Sequence, residues 1–208
     1  MELTPEQWST VTVVYTSALV PTVVLAILYL LGRVPGWVSR LWLASLVACA
    51  LGWELWFTYG WVDGMDVDAR RPQALQQAIP IHINWLVNSL ADAWICLVGT
   101  FLVWLAGGCT SRHFRRWHWG AFAVLAAWFI GQNLWVELTI YHTQLAAGLA
   151  LSWAPLAPTG PWFNPAIAVG GASVQLQTQL PWFLMTPLFY GLLLRLYRRY
   201  ASDESLST

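Results

Sequence analysis

Five apolar runs constrain this chain more than any other feature, because each is long enough to cross about 30 Å of hydrocarbon at roughly 20 residues per span. They lie near 11–31, 41–60, 81–106, 120–142 and 179–196. No water reaches the backbone at that depth, so each run must satisfy its own N–H and C=O groups, and the helix is the form that does so. The expected fold is all-α, a single domain over 1–208 built as a polytopic bundle of five transmembrane helices. Composition agrees: 58% of the residues are hydrophobic, 10% are charged and sixteen are tryptophan, proportions far from those of a soluble domain.

Charge gives the expected orientation. Eight of the ten basic residues, all arginine, sit in three places: Arg33 and Arg40, Arg112, Arg115 and Arg116, and Arg195, Arg198 and Arg199. The positive-inside rule makes these cytoplasmic and puts the N-terminus outside and the C-terminus inside. Arg70 and Arg71 share an outer connection with Asp63, Asp66 and Asp68 and are offset there. Net charge is zero and there is no basic stripe, so no nucleic-acid partner is implied. Cys49, Cys96 and Cys109 show no paired spacing, which argues against a disulfide framework and a zinc site. Glu2 and Glu6 stand where a signal peptide would be basic, so the first span is expected to be retained. The setting is an integral membrane one, the bacterial inner membrane or, in a eukaryote, the endoplasmic reticulum. The connection 143–178 is uncharged and rich in Pro and Gly, as a lid, a shallow re-entrant segment or a packed apolar loop would be.

Three carboxyls need a reason. Glu54, Asp92 and Glu137 fall inside spans two, three and four. A charge at the centre of a span costs roughly 2.5–3.5 kcal/mol on insertion scales, so acids there mark a functional site by default. At about 1.5 Å per residue, Glu54 and Glu137 lie roughly 9 Å below the outer ends of their spans and Asp92 roughly 16 Å deep. Asn84, Asn88 and Asp92 share one helix face by their spacing, as do Asn133, Glu137 and Tyr141. Lipid cannot satisfy such stripes, so both should point into the bundle. His82 and Tyr190 add polar groups in or beside the same outer half. The asparagines would serve equally as interhelical glue, worth under about 1 kcal/mol per pair. Glue explains the acids less well, since Gln or Ser would do the same at lower desolvation cost. No Glu-x-x-His or His-x-x-x-His pair occurs, so no metal is expected.

Carboxyls gathered in a low-dielectric site cannot all ionise together, and a protonated acid beside an ionised one can add a proton at one carbon and remove it at another. Trp53, Trp56, Phe57, Trp94, Trp128 and Trp135 lie too deep for interfacial belts. Their ring faces could stabilise a carbocation or simply fill space. Trp37, Trp42, Trp61, Trp117, Trp119 and Trp162 have the positions of interface anchors.

Glu54-Leu55-Trp56-Phe57 with Tyr59 and Gly60, then Asp92, Gly99 and Trp104, then Gly131-Gln132, Glu137 and Tyr141 resemble the EXPERA superfamily, the emopamil-binding-protein type that includes a sterol isomerase and a sterol-binding receptor. One turn before Glu54 this chain has Ala50 where that isomerase carries a histidine. The Trp53-Glu54 pair also resembles small integral-membrane terpene cyclases. These resemblances imply a cofactor-free isomerase or cyclase that protonates an alkene or epoxide of an isoprenoid or sterol-like substrate. Glu54, Asp92 and Glu137 would be the acid–base residues, and Trp53, Trp56, Phe57, Tyr59, His82, Asn84, Asn88, Trp94, Asn133, Trp135, Tyr141 and Tyr190 would bind or orient the substrate. A lipid- or sterol-binding protein without chemistry and a proton-coupled transporter are the other readings. In each the partner is a membrane lipid or isoprenoid small molecule, in a chain that could work as a homodimer.

Overall fold

The structure is a computed structural model that describes residues 2–60, 66–141, 166–170 and 172–204. Asp63, Trp61, His142, Trp162 and most of the 143–178 connection lie outside the described residues, as does the side chain of Tyr141. Five helices are long and apolar enough to cross a membrane: Pro5–Leu30, Gly36–Tyr59, Ile81–Ala106, Trp119–Ile140 and Thr178–Ala201. The expected limits of span three match at both ends; spans one, two and four begin earlier than expected and end one or two residues earlier, and span five extends at both ends.

In element order these are α1 (Pro5–Leu30), α2 (Gly36–Leu51), α3 (Trp53–Tyr59), the short helices α4 (Val67–Arg70) and α5 (Gln73–Ala78), and α6 (Ile81–Ala106). Then follow α7 (Arg112–Arg115), α8 (Trp119–Val136), a π-helical turn (Glu137–Tyr141), β1 (Ala166–Val169), β2 (Ala172–Gln175) and α9 (Leu176–Glu204). Thr4 begins α1 with a capping box, its hydroxyl on the Gln7 N–H and the Gln7 side chain returning to its own N–H.

The strands correct the sequence expectation over part of the last connection. Residues 166–169 and 172–175 form an antiparallel hairpin, Ile167 opposite Val174, that packs against the π-helical turn. Pairing each other's backbone is what lets eight residues without helical periodicity stay ordered there.

α2 packs on α6, α6 on α8, α8 on α9 and α9 back on α2, closing a four-helix ring, while α1 lies outside it against α6. Leu41, Leu97, Leu125, Phe129, Phe189 and Leu193 fill the ring. A second, smaller cluster of Val11, Val14, Ala18, Leu75, Ile79, Val87 and Leu90 fixes α1, and Tyr15 ties it to α5 through the Ala78 carbonyl at 3.0 Å. At the α6–α8 crossing a Cβ on Gly99 would come within 2.6 Å of Leu125 and 3.2 Å of Phe129, so the two helices can meet this closely only with glycine.

Span two is two helices. It breaks at Gly52, where ψ of −118° leaves the helical range. A Cβ there would stand 2.5 Å from the Ala48 carbonyl oxygen, which is backbone and cannot move aside. A break inside a membrane strands carbonyls, and Trp85 Nε1 donates to that of Ala50 at 2.8 Å. We expect Gly52→Ala to cost about 1–3 kcal/mol, as overpacked sites do, and to lower the thermal midpoint in detergent. Leu51→Ala, at a residue 65% exposed toward lipid, should leave it nearly unchanged. Equal midpoints for the two variants would contradict this account of the break.

Candidate functional site

The break at Gly52 restarts the helix at Trp53 and Glu54, and both side chains enter one cavity of about 270 Å³. Trp53, Glu54 and Phe57 from α3 face Asn88, Asp92 and Ile95 from α6 and Trp128, Gln132 and Asn133 from α8. Thr178 and Trp182 from α9 close a further side.

Two acids share this chamber in different settings. Trp53 Nε1 donates to Asp92 Oδ2 at 2.7 Å, and the indole rests against Trp182, ring centroids 5.1 Å apart, which in turn rests on Phe129. Asp92 is therefore held by a donor that the core itself fixes. Glu54 is only 4% exposed and hydrogen-bonded by the Asn88 side chain. Its Oε2 has no hydrogen-bond partner among the described residues. Glu54 thus lines the cavity with one buried oxygen still able to accept a hydrogen bond.

Glu137 lines no part of this cavity. It is buried behind the wall at the start of the π-helical turn, accepting hydrogen bonds from the Thr178 hydroxyl and, at 2.7 Å, from Gln179 Nε2. Asn133 Nδ2 donates to the Thr178 carbonyl at 3.0 Å. Thr178 is thus the link between Glu137 and the chamber. Turns of this π type widen a helix by one residue and often occur at functional sites.

The remaining expected residues divide. Phe57, Trp94, Asn133 and Trp135 line the cavity, Trp135 while 57% exposed on its outer side. Trp56 does not line it. Tyr59 and His82 pair with each other, Oη to Nδ1 at 2.8 Å, in an exposed position. Tyr190 must be moved: its hydroxyl donates to the His113 carbonyl at 2.9 Å, at the arginine-rich end of the bundle and away from the acids. The stripe Asn84–Asn88–Asp92 does share a face, but Asn84 belongs to another network.

That network contains the residues that sequence reasoning missed. Arg70 and Arg71 are 2% and 5% exposed, not solvated in a loop. Asp66 caps α4 through the Ala69 N–H at 2.7 Å and turns both arginines inward. Arg71 Nη2 donates to Asn84 Oδ1 at 2.5 Å, and Asn84 Nδ2 to Thr58 Oγ1 at 3.3 Å. Arg70 donates to the Phe57 carbonyl at 2.6 Å and lies 4.5 Å over the Phe57 ring. Both guanidinium charges act on Glu54. Burial, with Asp66 beside it, holds the Asp68 carboxyl above the ordinary carboxylate range against the pull of Arg71 and His82. One signal was available in the sequence: Arg70 and Arg71 are the only cations outside the arginine-rich end, on the side where the acids lie.

No group of three or more His, Cys, Asp or Glu side chains suited to a metal ion occurs among the described residues. The fold and site define a five-span helical membrane protein with an acid-bearing, tryptophan-walled chamber. Comparison with protein families, curated proteins and solved structures finds no match for this chain.

The two asparagines should separate in their effects. Asn84→Leu leaves a buried guanidinium short of an acceptor and should cost about 2–3 kcal/mol, whereas Asn88→Leu, half-buried at the cavity, should cost clearly less. Thermal unfolding of the two variants checks this, and equal losses would contradict the separation of the two networks.

Proposed function

We propose that this protein is an intramembrane acid–base enzyme, an isomerase or cyclase, for an uncharged isoprenoid or sterol-like substrate. One observation carries the reading: a buried carboxyl oxygen of Glu54, without a partner among the described residues, in a mostly apolar chamber that also holds Asp92. Glu54 gives its proton to an alkene carbon or an epoxide oxygen. The cation that results lies among the Trp53, Trp94 and Trp128 rings, whose faces attract positive charge. Asp92, oriented by Trp53, takes a proton from the neighbouring carbon to give the product alkene, and proton exchange between the two acids restores the starting state. Glu137 acts from behind the wall through the Thr178 hydroxyl as relay or counter-charge.

The substrate comes from the bilayer. Val13, Val14 and Ser17 of α1 and Trp135, Val136 and Ile140 beyond α6 border the same cavity, yet α1 and α8 do not pack closely on each other. Val13 and Trp135 are exposed there at membrane depth, a placement that supports a lateral opening. The eight arginines at the opposite end are all exposed, which supports an orientation with that end in the cytoplasm and the N-terminus outside. EXPERA membership, as a proposal, fits the order of the acids along five spans.

Glu54→Gln keeps the shape of the side chain and removes its transferable proton. Supplied with isoprenoid alkenes and epoxides in proteoliposomes, the variant should lose product formation by at least about 100-fold, the usual worth of a general acid, while still retaining the substrate. Undiminished product would sink the assignment. Loss of binding together with turnover would instead point to a lipid-binding role.

A further inference from the structure

At the arginine-rich end two histidines lie face to face. His113, on α7, and His118, at the N-cap of α8, stack with ring centroids 4.2 Å apart and planes 19° from parallel. His118 Nδ1 accepts the backbone N–H of Ala121 at 3.3 Å. It satisfies one of the N–H groups that the first turn of a helix leaves over, a task usually given to Ser, Thr, Asp or Asn. Only a neutral imidazole can do this, because imidazolium carries hydrogen on both nitrogens and accepts nothing.

His113 is buried and bonds the Val103 backbone, while its own carbonyl receives the Tyr190 hydroxyl. It therefore ties α7 to both α6 and α9. Phe114, next to it, sits against Trp37 of α2 and Tyr197 of α9.

We propose that the His113–His118 pair is a pH-sensitive cap: protonation removes the acceptor from the start of α8 and sets like charges face to face, opening the first turn of span four. The charged and titratable groups around it are Arg112, Arg115 and Arg116 on the same segment and Tyr190 and Tyr197 from α9. α2 and α6 present Trp37 and the Val103 backbone. Among the described residues no acid acts on His113, and the Val103 backbone alone favours its protonated form.

Burial, with His118 and Arg112, holds His113 below the ordinary histidine value of 6.5. A histidine kept neutral in the fold where the unfolded chain would protonate it contributes stability that is full above 6.5 and is lost as pH falls through the depressed value. α8 carries Gln132, Asn133 and Trp135 to the chamber, so the cap loosens that wall's helix from its far end.

Hydrogen exchange of the Ala121 amide tests this in the full chain in lipid nanodiscs, roughly one pH unit above and below 6.5. Wild-type protection, corrected for the intrinsic pH dependence of exchange, should fall about fivefold on acidification, the worth of one cap. His118→Asn keeps an acceptor that does not titrate and should hold its protection at both pH values, while His118→Ala should lose it at both. Unchanged wild-type protection, or a parallel fall in His118→Asn, overturns the proposal. If His118→Asn does not fold, His113→Phe keeps the stack and removes one charge. The His118 acceptor remains in it, so protection should still fall on acidification, and protection that does not change overturns the proposal.

Discussion

A carboxyl inside a membrane must find its partners within the protein, and the hydrogen bond from Trp53 to Asp92 is where this chain meets that demand most directly. It depends on the break at Gly52. An unbroken span two would carry Trp53 and Glu54 on in register with α2, whereas the restart at α3 lets both side chains reach the chamber. Trp85 on the Ala50 carbonyl covers the cost of the break, and Trp182 against Trp53 fixes the indole. Asp92 is thus oriented by the core, while one buried Glu54 oxygen is left without a partner among the described residues.

The second constraint is charge. The burial of Arg70 and Arg71 is tolerated because Asn84, the Phe57 carbonyl and the Phe57 ring receive them. Removing one partner from such a network leaves a charge without compensation, which is why its members should matter to stability more than the residues lining the chamber.

The five spans were legible in the sequence because hydrophobic length is a one-dimensional property, and so was the shared face of Asn88 and Asp92, which follows from helical spacing alone. What was not legible needed knowledge of how helices meet. Glu137 turns toward Thr178 and Gln179 of α9, since rotation about a helix axis is set by packing. Tyr190 fell at the other end because position along span five says nothing about which loop its hydroxyl reaches. Arg70 and Arg71 read as a balanced pair in a loop, and only α4 turns them inward. The hairpin at 166–175 lacked any alternation strong enough to announce it.

The central claim is that the chamber holds an uncharged hydrophobic ligand against Glu54. Mass spectrometry of what remains bound to the purified protein tests it most directly, with Ala91→Trp, at a residue lining the chamber, as the comparison. A neutral isoprenoid or sterol-like molecule retained stoichiometrically by the wild type and lost from Ala91→Trp is the expected result. Bulk phospholipid alone, in equal amounts on both proteins, would contradict the account.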